Sequence, residues 1–332
     1  MKKAVLCKFL DFKRKKTSGL KFMLILIWLM LVPSQMEAGE PFVFTTVWTA
    51  QAEFAGYYVA KEKGFYTEAG LDVKIQHPSL TSSVYHRLET DECNAGMFAL
   101  MSALDIIGNK GTPLVNIFQT SMNSSYVIVS RWGKNPLTQK GIRMAVYNSE
   151  PNYLTSILNI REKMNYDWIH FAGNINVFLS GAVDAMVIVT YNEYYQLLQA
   201  GFKMPEEGLY RFCDHGYNIQ ENGVYVKRDY YESHPQQVKA FAAASRKGWE
   251  WAAEHPEEAL DIVMKYVKAN NTPTNRVMQK LQLQEILRLQ QDKESGKREF
   301  RVRPDMVKKA SRLMMECGML KREVTYNELM GK

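Results

Sequence analysis

Cysteine is scarce in this chain: there are four in 332 residues, and no two of them form a Cys-x-x-Cys pair. Cys7 lies in the N-terminal 38 residues, while Cys93, Cys213 and Cys317 are widely spaced. Zinc sites and disulfide frameworks need closely or regularly spaced cysteines, so neither is predicted. One disulfide bond among the three later cysteines is compatible with an oxidising compartment, and the spacing does not decide whether it forms.

Catalytic motifs are also missing. The six histidines include no His-x-x-x-His or His-Glu-x-x-His pair, which argues against a metal hydrolase. The sequence has no Gly-x-Ser-x-Gly elbow, no Gly-x-x-x-x-Gly-Lys-Ser/Thr phosphate loop, and no Gly-x-Gly-x-x-Gly after a strand. We therefore predict no catalytic residue, no metal ligand and no cofactor. Two carboxylates distant in sequence can still meet, so acid–base chemistry is left open.

The net charge of +7 is concentrated at the N-terminus. Residues 1–38 hold eight Lys and Arg against Asp11 and Glu37, a net charge of +6. The remaining chain has 34 basic and 33 acidic residues, so it is close to neutral. A near-neutral protein gives no electrostatic reason to expect a nucleic acid as partner, and none is predicted.

The N-terminal 38 residues have the pattern of a secretory signal peptide. A basic stretch is followed by the apolar run 22–32 (FMLILIWLMLV), by Pro33, and by a polar patch with small residues at 36–39. The run is shorter than the ~20 residues that span a bilayer. Export to the periplasm or secretion is therefore predicted, with an uncleaved membrane anchor as the alternative. No Cys lies at the expected cleavage point, which gives no support to a lipid anchor.

Beyond residue 38, strand and helix patterns alternate in two series. Predicted strands at 41–48 and 71–75 flank a predicted helix at 53–63, a βαβ unit of the kind that builds parallel sheets. The alternation restarts at 142–147, after a polar, turn-rich stretch. From residue 229 onward the pattern is helical, and the segment 279–291 is predicted to pack against the first lobe.

These patterns predict an α/β fold of two lobes, each with a mixed, mostly parallel sheet, and a helical C-terminal segment. The chain would cross between the lobes near 131–136 and again near 222–226. The predicted division is a signal peptide at 1–38, the N-terminal part of lobe 1 at 39–130, lobe 2 at 131–222, and the mostly helical C-terminal part of lobe 1 at 223–332.

Three segments carry a family resemblance. They are the run 48–73 (WTAQAEFAGYYVAKEKGFYTEAGLDV), the segment 181–185 (GAVDA) and the segment 191–194 (YNEY). They are similar to segments of periplasmic solute-binding proteins for pyrimidine precursors of thiamine, whose relatives bind alkanesulfonates, nitrate and similar solutes. The resemblance covers roughly residues 40 to 325. It implies the type 2 periplasmic binding protein fold, a monomer, and delivery of a small-molecule ligand to the membrane permease of an ABC transporter.

In this fold the ligand lies between the lobes at the carboxyl ends of the strands. Trp48 would stack on a flat ring, Tyr57 would form part of the wall, and Asn192 and Glu193 would bind ring nitrogens and an exocyclic amine. The complete set of predicted ligand-binding residues is Trp48, Glu53, Tyr57, Ser82, Ser83, Asn148, Ser149, Asn192 and Glu193. The alternative for Trp48 is a core or hinge position. For the polar residues it is helix capping or a solvated helix start.

The same superfamily includes a fungal pyrimidine synthase that consumes its own histidine and binds pyridoxal phosphate through a lysine. The segment 94–102 (NAGMFALMS) resembles this enzyme, but Phe98 stands where the enzyme has the lysine and Ser102 where it has the histidine. Because Phe cannot form a Schiff base, the resemblance implies a binding protein and not an enzyme. Glu150 lies in the segment that corresponds to the enzyme's phosphate loop and would repel a phosphate, which favours a neutral or cationic ligand.

Two alternative functions stay open at this point. The same lobes could signal to a membrane kinase as a ligand sensor, or the cleft could bind a sulfonate or another small solute.

Overall fold

The computed structural model describes residues 40–79, 82–148, 152–293 and 295–332. The predicted signal peptide at 1–38 and the predicted site residue Ser149 lie outside this part of the chain. Within it, no helix is both long enough and apolar enough to span a membrane.

The strands form two five-stranded sheets. The first sheet has the order β2-β1-β3-β10-β4, in which β1 pairs in parallel with β2 and β3, and β10 runs antiparallel to β3 and β4. Its strands are β1 Phe42–Thr45, β2 Val73–Gln76, β3 Ala95–Phe98, β4 Leu114–Gln119 and β10 Gly223–Lys227. Strand β10, which follows the whole second sheet in the sequence, thus separates two strands of the N-terminal segment.

The second sheet repeats this arrangement. Its order is β7-β6-β8-β5-β9, with parallel pairs on both sides of β6 and an antiparallel β5 between β8 and β9. Its strands are β5 Tyr126–Ser130, β6 Arg143–Tyr147, β7 Asp167–Phe171, β8 Ala185–Val189 and β9 Leu209–Arg211. In each sheet four strands share one direction and one strand opposes them, so the predicted mixed, mostly parallel sheets are confirmed.

One boundary differs from the sequence-based expectation. Strand β5 pairs in the second sheet, although the predicted first lobe extended to residue 130. The chain therefore passes between the sheets at 120–125, and the stretch 131–136 connects β5 to a short helical turn at Pro136–Thr138. The physical reason is that the true crossing, although rich in Ser and Asn, is buried between the lobes, which its composition does not show. The polar turn that follows β5 has the composition of a linker.

The helices surround the two sheets, and the predicted helical C-terminal segment is confirmed. Pro235, Pro256 and Pro304 each occupy the first turn of a helix, where the missing amide hydrogen costs nothing. The helices are α1 Ala55–Glu62, α2 Phe65–Glu68, α3 Val84–Glu89, α4 Leu100–Asp105, α5 Tyr153–Arg161, α6 Asn176–Leu179, α7 Glu193–Gln199, α8 Arg228–Ser233, α9 Pro235–Glu254, α10 Pro256–Ala269, α11 Arg276–Leu289, α12 Pro304–Glu316 and α13 Tyr326–Leu329.

The first sheet and the C-terminal helices share one aromatic core. Phe44, Tyr57 and Phe241 pack ring against ring, and Trp249 meets Tyr57 edge-on. Helix α1 approaches α9 so closely at Gly56 that an added Cβ would overlap the Trp249 indole. The glycine in the segment EFAGYY therefore serves the packing of two helices, which bury large rings worth about 1.5–3 kcal/mol each.

Candidate functional site

A narrow cleft lies at the carboxyl ends of strands β1, β3, β6 and β8, and it holds a cavity of about 60 Å³. Both sheets contribute loops to it, because in each sheet the carboxyl ends of the parallel strands lie along one edge. The residues that line it are Val47, Trp48, Gln51, Glu53, Ala99, Tyr126, Tyr147, Val189, Tyr191, Asn192, Glu193, Glu221 and Asn222.

Trp48 follows β1 and is half-buried. Its carbonyl oxygen accepts hydrogen bonds from Thr46 Oγ1 at 2.8 Å and from His77 Nδ1 at 3.0 Å, which anchors the loop. The indole extends toward the second sheet, where it meets the Tyr147 ring edge-on with the centroids 6.5 Å apart. Gly173, at a φ of +82°, approaches so closely that an added Cβ would lie 3.0 Å from the indole. Trp48 therefore bridges the two halves of the cleft.

Glu53 lies in a short helical turn, Ala52–Phe54, that precedes α1, and only 2% of it is exposed. Three groups donate hydrogen bonds to its carboxylate: Gln51 Nε2 at 2.5 Å, Asn222 Nδ2 at 2.8 Å and Tyr191 Oη at 3.2 Å. Tyr191 follows β8 of the second sheet, while Asn222 immediately precedes β10. One buried carboxylate thus joins loops from both sheets.

Glu193 begins helix α7 and is 1% exposed. Its carboxylate accepts hydrogen bonds from Tyr147 Oη at 2.6 Å, from Asn192 Nδ2 at 3.0 Å and from the Val189 backbone N–H at 3.3 Å. Burial raises the pKa of the Glu193 carboxyl above its ordinary value, and the hydrogen bond from Tyr147 opposes that rise. The amide of Asn192 is oriented by Gln196, which donates to its Oδ1 at 2.9 Å.

Glu221 links the two segments by which the chain passes between the sheets, 120–125 and 218–222, which we call the hinge segments. Its carboxylate accepts hydrogen bonds from Ser124 Oγ and Ser125 Oγ, both at 2.6 Å, and from the Ser125 backbone N–H at 3.0 Å. Burial raises the pKa of this carboxyl to about 7, and the serine hydrogen bonds lower it in part. The hinge segments are therefore held together by a group that titrates near neutral pH.

Charge in the cleft has one sign. Glu53, Glu193 and Glu221 line it, and no Lys or Arg does so in the part of the chain that the structure describes. Buried carboxylates favour ligands that carry hydrogen-bond donors or positive charge. Aromatic faces, including Trp48 and Tyr147, complete the lining.

A smaller compartment of about 30 Å³ continues the cleft and shares Ala99, Tyr126 and Glu221 with it. It lies beside the first turns of α4 and α5. Its other lining residues are Met101, Ser102, Asn152, Tyr153, Leu154, Thr155, Ile219 and Gln220, and the surface that they expose to it is mostly apolar. A ring held in the cleft could thus direct a substituent into this compartment.

Four of the predicted site residues meet in the cleft: Trp48, Glu53, Asn192 and Glu193. Tyr57 does not line it. This residue is 0% exposed within the aromatic core, and its hydroxyl pairs with Thr120 Oγ1 at 2.6 Å. Tyr57 therefore does not occupy the expected wall position, because the turn before α1 borders the cleft and the helix face beyond that turn does not.

Three further predicted residues lie elsewhere. Ser83 caps α3 by accepting a hydrogen bond from the His86 backbone N–H at 3.2 Å, and Ser82 Oγ accepts one from Arg87 Nε at 3.1 Å. Asn148 follows β6 and is exposed. None of these side chains lines the cleft, and of the two serines only Ser83 has the N-capping role that was the alternative. The three later cysteines are free thiols, and Cys93 is buried.

Several lining residues escaped the sequence analysis. Tyr147 is the last residue of a predicted strand, and Tyr191 directly precedes Asn192, so proximity to predicted residues was the available signal. Gln51 likewise lies two residues before Glu53, whereas Glu221 and Asn222 had no such signal. Their roles depend on hydrogen bonds to residues far away in the sequence.

A larger cavity, of about 340 Å³, lies between α11 and the second sheet. Its charged side chains pair with one another or with neighbours: Arg288 contacts Glu285 at 2.6 Å, and Lys293 contacts Asp214 at 3.4 Å. No residue of the loops after β1 or β3 is part of its described lining. We take the cleft that contains Trp48 and Glu53 as the candidate site, because buried carboxylates from both halves of the chain converge there.

Two sheets with the same strand order, and a cleft at the carboxyl ends of their strands, define a two-lobed type 2 periplasmic binding protein fold, as predicted. The periplasmic aliphatic sulphonate binding protein from Escherichia coli is similar, with a TM-score of 0.63 at 12% identity over 87% of this chain and 91% of that one. The periplasmic nitrate-binding protein from Synechocystis PCC 6803 has a TM-score of 0.59 at 14% identity, over 86% of this chain and 84% of that one. At these identities the likeness is one of fold.

The chain belongs to the family described as NMT1/THI5 like, which matches residues 51–259. The formylaminopyrimidine-binding protein of Halalkalibacterium halodurans is 24% identical over 254 residues, which are 72% of this chain and 74% of that protein. The family resemblance inferred from the three sequence segments is thus confirmed.

Proposed function

We propose that this protein is an exported solute-binding protein that holds a small, flat ligand of the aminopyrimidine class and delivers it to the permease of an ABC importer. The observation that carries the proposal is the convergence of Glu53, Glu193 and Glu221 on a cleft whose described lining has no Lys or Arg. Carboxylates accept hydrogen bonds from amino groups and ring N–H groups. The name of the H. halodurans relative, a formylaminopyrimidine-binding protein, supports the same ligand class.

Aromatic side chains supply the flat surfaces that such a ring needs. Trp48 and Tyr126 line the cleft beside Tyr147 and Tyr191, and the smaller compartment offers space for a substituent of the ring. Small-molecule sites commonly combine aromatic walls with a few polar groups that fix orientation. Asn192 and Glu193 are polar groups on the second-sheet side, and Glu53 is a polar group on the first.

An anionic ligand fits this site poorly. One ionised carboxylate about 4 Å from an anion costs about 4 kcal/mol at an effective dielectric constant of 20. The lining contains three carboxyl groups, so a sulfonate or nitrate would need them to be protonated or displaced. This electrostatic argument favours the pyrimidine over the sulfonate alternative.

Ligand capture would close two lobes around the cleft. We assign residues 40–119 and 223–332 to lobe 1 and the strands from β5 to β9 to lobe 2, with the hinge segments between them. Hinge closure needs a small number of backbone positions that change conformation, and each hinge segment is short enough to supply them. Closure would present both lobe surfaces to the permease.

Transport is favoured over catalysis by the position of Phe98. This residue lies in β3, and its ring is buried in the first-sheet core, so no side-chain amine is available there to form a Schiff base. Ser102 lines the smaller compartment as a simple hydroxyl. The chain binds and releases its ligand unchanged under this proposal.

Isothermal titration of the full chain tests the ligand class. Formylaminopyrimidine should give saturable binding, while ethanesulfonate and nitrate should give none. Glu193→Gln should raise Kd about tenfold or more, because a hydrogen bond to a charged group is worth about 1.5–3 kcal/mol. Glu207→Gln, at an exposed site, should leave Kd unchanged. Binding of either anion together with no binding of the pyrimidine would refute the proposal.

A further inference from the structure

Helix α11 places two buried glutamines against the loop that carries Glu53. The exposed fraction is 0% for Gln282 and 3% for Gln279. A buried amide destabilises a fold unless its donors and acceptors are paired, so both side chains need polar partners on the facing element. Those partners lie in the loop 51–53.

From Gln282 onward, each hydrogen bond donates toward the Glu53 carboxylate. The backbone N–H of Ala52 can only donate, and it is shared between Oε1 of Gln282 at 3.2 Å and Oε1 of Gln279 at 2.6 Å. Nε2 of Gln282 therefore faces Gln51, whose Oε1 accepts at 2.8 Å. Nε2 of Gln51 is in turn directed at Oε2 of Glu53, at 2.5 Å. A single backbone donor thus fixes the orientation of two amides and presents a donor to the carboxylate.

The other oxygen of Glu53 has different partners. Asn222 Nδ2 donates to Oε1 at 2.8 Å and Tyr191 Oη donates to it at 3.2 Å. Both oxygens therefore receive donors, which stabilises the group as an acceptor. A ligand atom that approaches Glu53 must donate a hydrogen bond, because an acceptor would face lone pairs only.

We propose that Gln282 is a positioning residue that acts through Gln51 to hold Glu53 as a hydrogen-bond acceptor, and so restricts the cleft to ligands that present a donor at this end. We call Gln282, Gln51 and Glu53 the glutamine relay. Its effect on specificity rests on the proposed function, whereas the relay itself is a property of the chain without ligand.

Gln279 provides a matched control on the same helix. Its Oε1 accepts from the same Ala52 backbone N–H, at 2.6 Å, but its Nε2 donates to Thr274 Oγ1 at 3.1 Å. Substitution of Gln279 thus loosens the same loop from the same helix without changing the donor that faces Gln51.

A double-mutant cycle on thermal unfolding tests the direction of the relay. In Gln282→Glu the helix has no donor for Gln51, so the Gln51 amide turns over and its oxygen faces the acceptor Glu53. In Glu53→Gln alone, two amide nitrogens face each other. In the double variant, Gln51 donates to the new carboxylate at position 282 and its oxygen accepts from the new amide at position 53, so each donor again faces an acceptor. The number of buried carboxylates also stays constant. The double variant should therefore melt at least about 2 °C above the value that the two single shifts predict.

Gln279→Glu combined with Glu53→Gln should show no such recovery. If both single variants are insoluble but the double variant Gln282→Glu, Glu53→Gln folds, that result also counts as recovery. Additive melting shifts, insolubility of all three variants, or equal rescue by Gln279→Glu would overturn the inference.

Titration with formylaminopyrimidine tests the effect on the ligand. Gln282→Met should raise Kd about tenfold, because the orientation of Gln51 is lost, and Gln279→Met should change it by no more than about threefold. Equal Kd values for the two variants would overturn the role of Gln282 in specificity. If the unmodified chain does not bind this pyrimidine, the proposed function fails, while the unfolding cycle still decides on the relay.

Discussion

Replacement of Glu221 with Gln should remove a large part of the pH dependence of stability near neutrality. Burial raises the pKa of this carboxyl from an ordinary 4.5 to about 7 in the folded protein. The folded chain therefore binds the proton more tightly than the unfolded chain does. The contribution of Glu221 to the free energy of unfolding is therefore largest below about pH 4.5, falls as the pH rises toward 7, and is lost above that value.

The magnitude follows from the two pKa values. Their difference corresponds to about 3 kcal/mol, since each pH unit of difference is worth about 1.4 kcal/mol. The side chain is buried and bonded to Ser124 and Ser125, so screening by solvent does not reduce this figure greatly. Over the same range, Glu193 contributes a change of the same sign, because burial raises its pKa as well. A comparison with the variant isolates the share of Glu221.

Urea unfolding at a series of pH values from 4.5 to 8 measures the effect. The unmodified chain should lose about 3 kcal/mol more than Glu221→Gln across this range. Glu207→Gln, an exposed glutamate away from the hinge segments, should retain the profile of the unmodified chain. Parallel pH profiles for the unmodified chain and Glu221→Gln would refute the reasoning that a buried hinge carboxyl titrates near pH 7.

Three further predictions concern the cleft and the core. Trp48→Ala should raise Kd for formylaminopyrimidine about tenfold through lost stacking, whereas Trp48→Phe should raise it less than about threefold; equal losses in titration would contradict the stacking role. Tyr191→Phe removes a donor to Glu53 and should lower the free energy of unfolding by about 1–2 kcal/mol, and an unchanged urea midpoint would count against that hydrogen bond. Gly56→Ala forces a methyl group into the Trp249 indole and should destabilise the chain by about 3 kcal/mol or more. Normal expression with an unchanged melting temperature would show instead that α1 and α9 can separate.

The fold was accessible from the sequence because its two series of strand and helix patterns are local. Buried strands such as β1 and β6 are short, apolar and followed by helix patterns, and these features do not depend on distant contacts. The position of β5 was not accessible in this way. An antiparallel strand that changes sheets has the same local pattern as one that stays, so pairing partners decide its place.

The site was accessible only in part, for a related reason. Trp48 was found because it ends a predicted strand, and the carboxyl ends of strands form the cleft. Glu193 was found through the family resemblance of the segment 191–194. Tyr57 was misplaced because the helical pattern does not show which neighbour covers each face. Gln282 was hidden because a glutamine in a helix ordinarily faces solvent, and only the approach of the loop 51–53 makes its burial favourable.

The insertion of β10 between β3 and β4 has a consequence for the order of folding during synthesis. The second sheet is made from one continuous stretch, 126–211, and can pair its strands as soon as that stretch is complete. The first sheet cannot close until Gly223–Lys227 has left the ribosome, and its aromatic core also needs α9. The N-terminal strands therefore wait, unpaired on one side, through the synthesis of the entire second sheet. Such distant pairings slow folding, and a chain that folds slowly stays longer in the extended form that passage across a membrane requires.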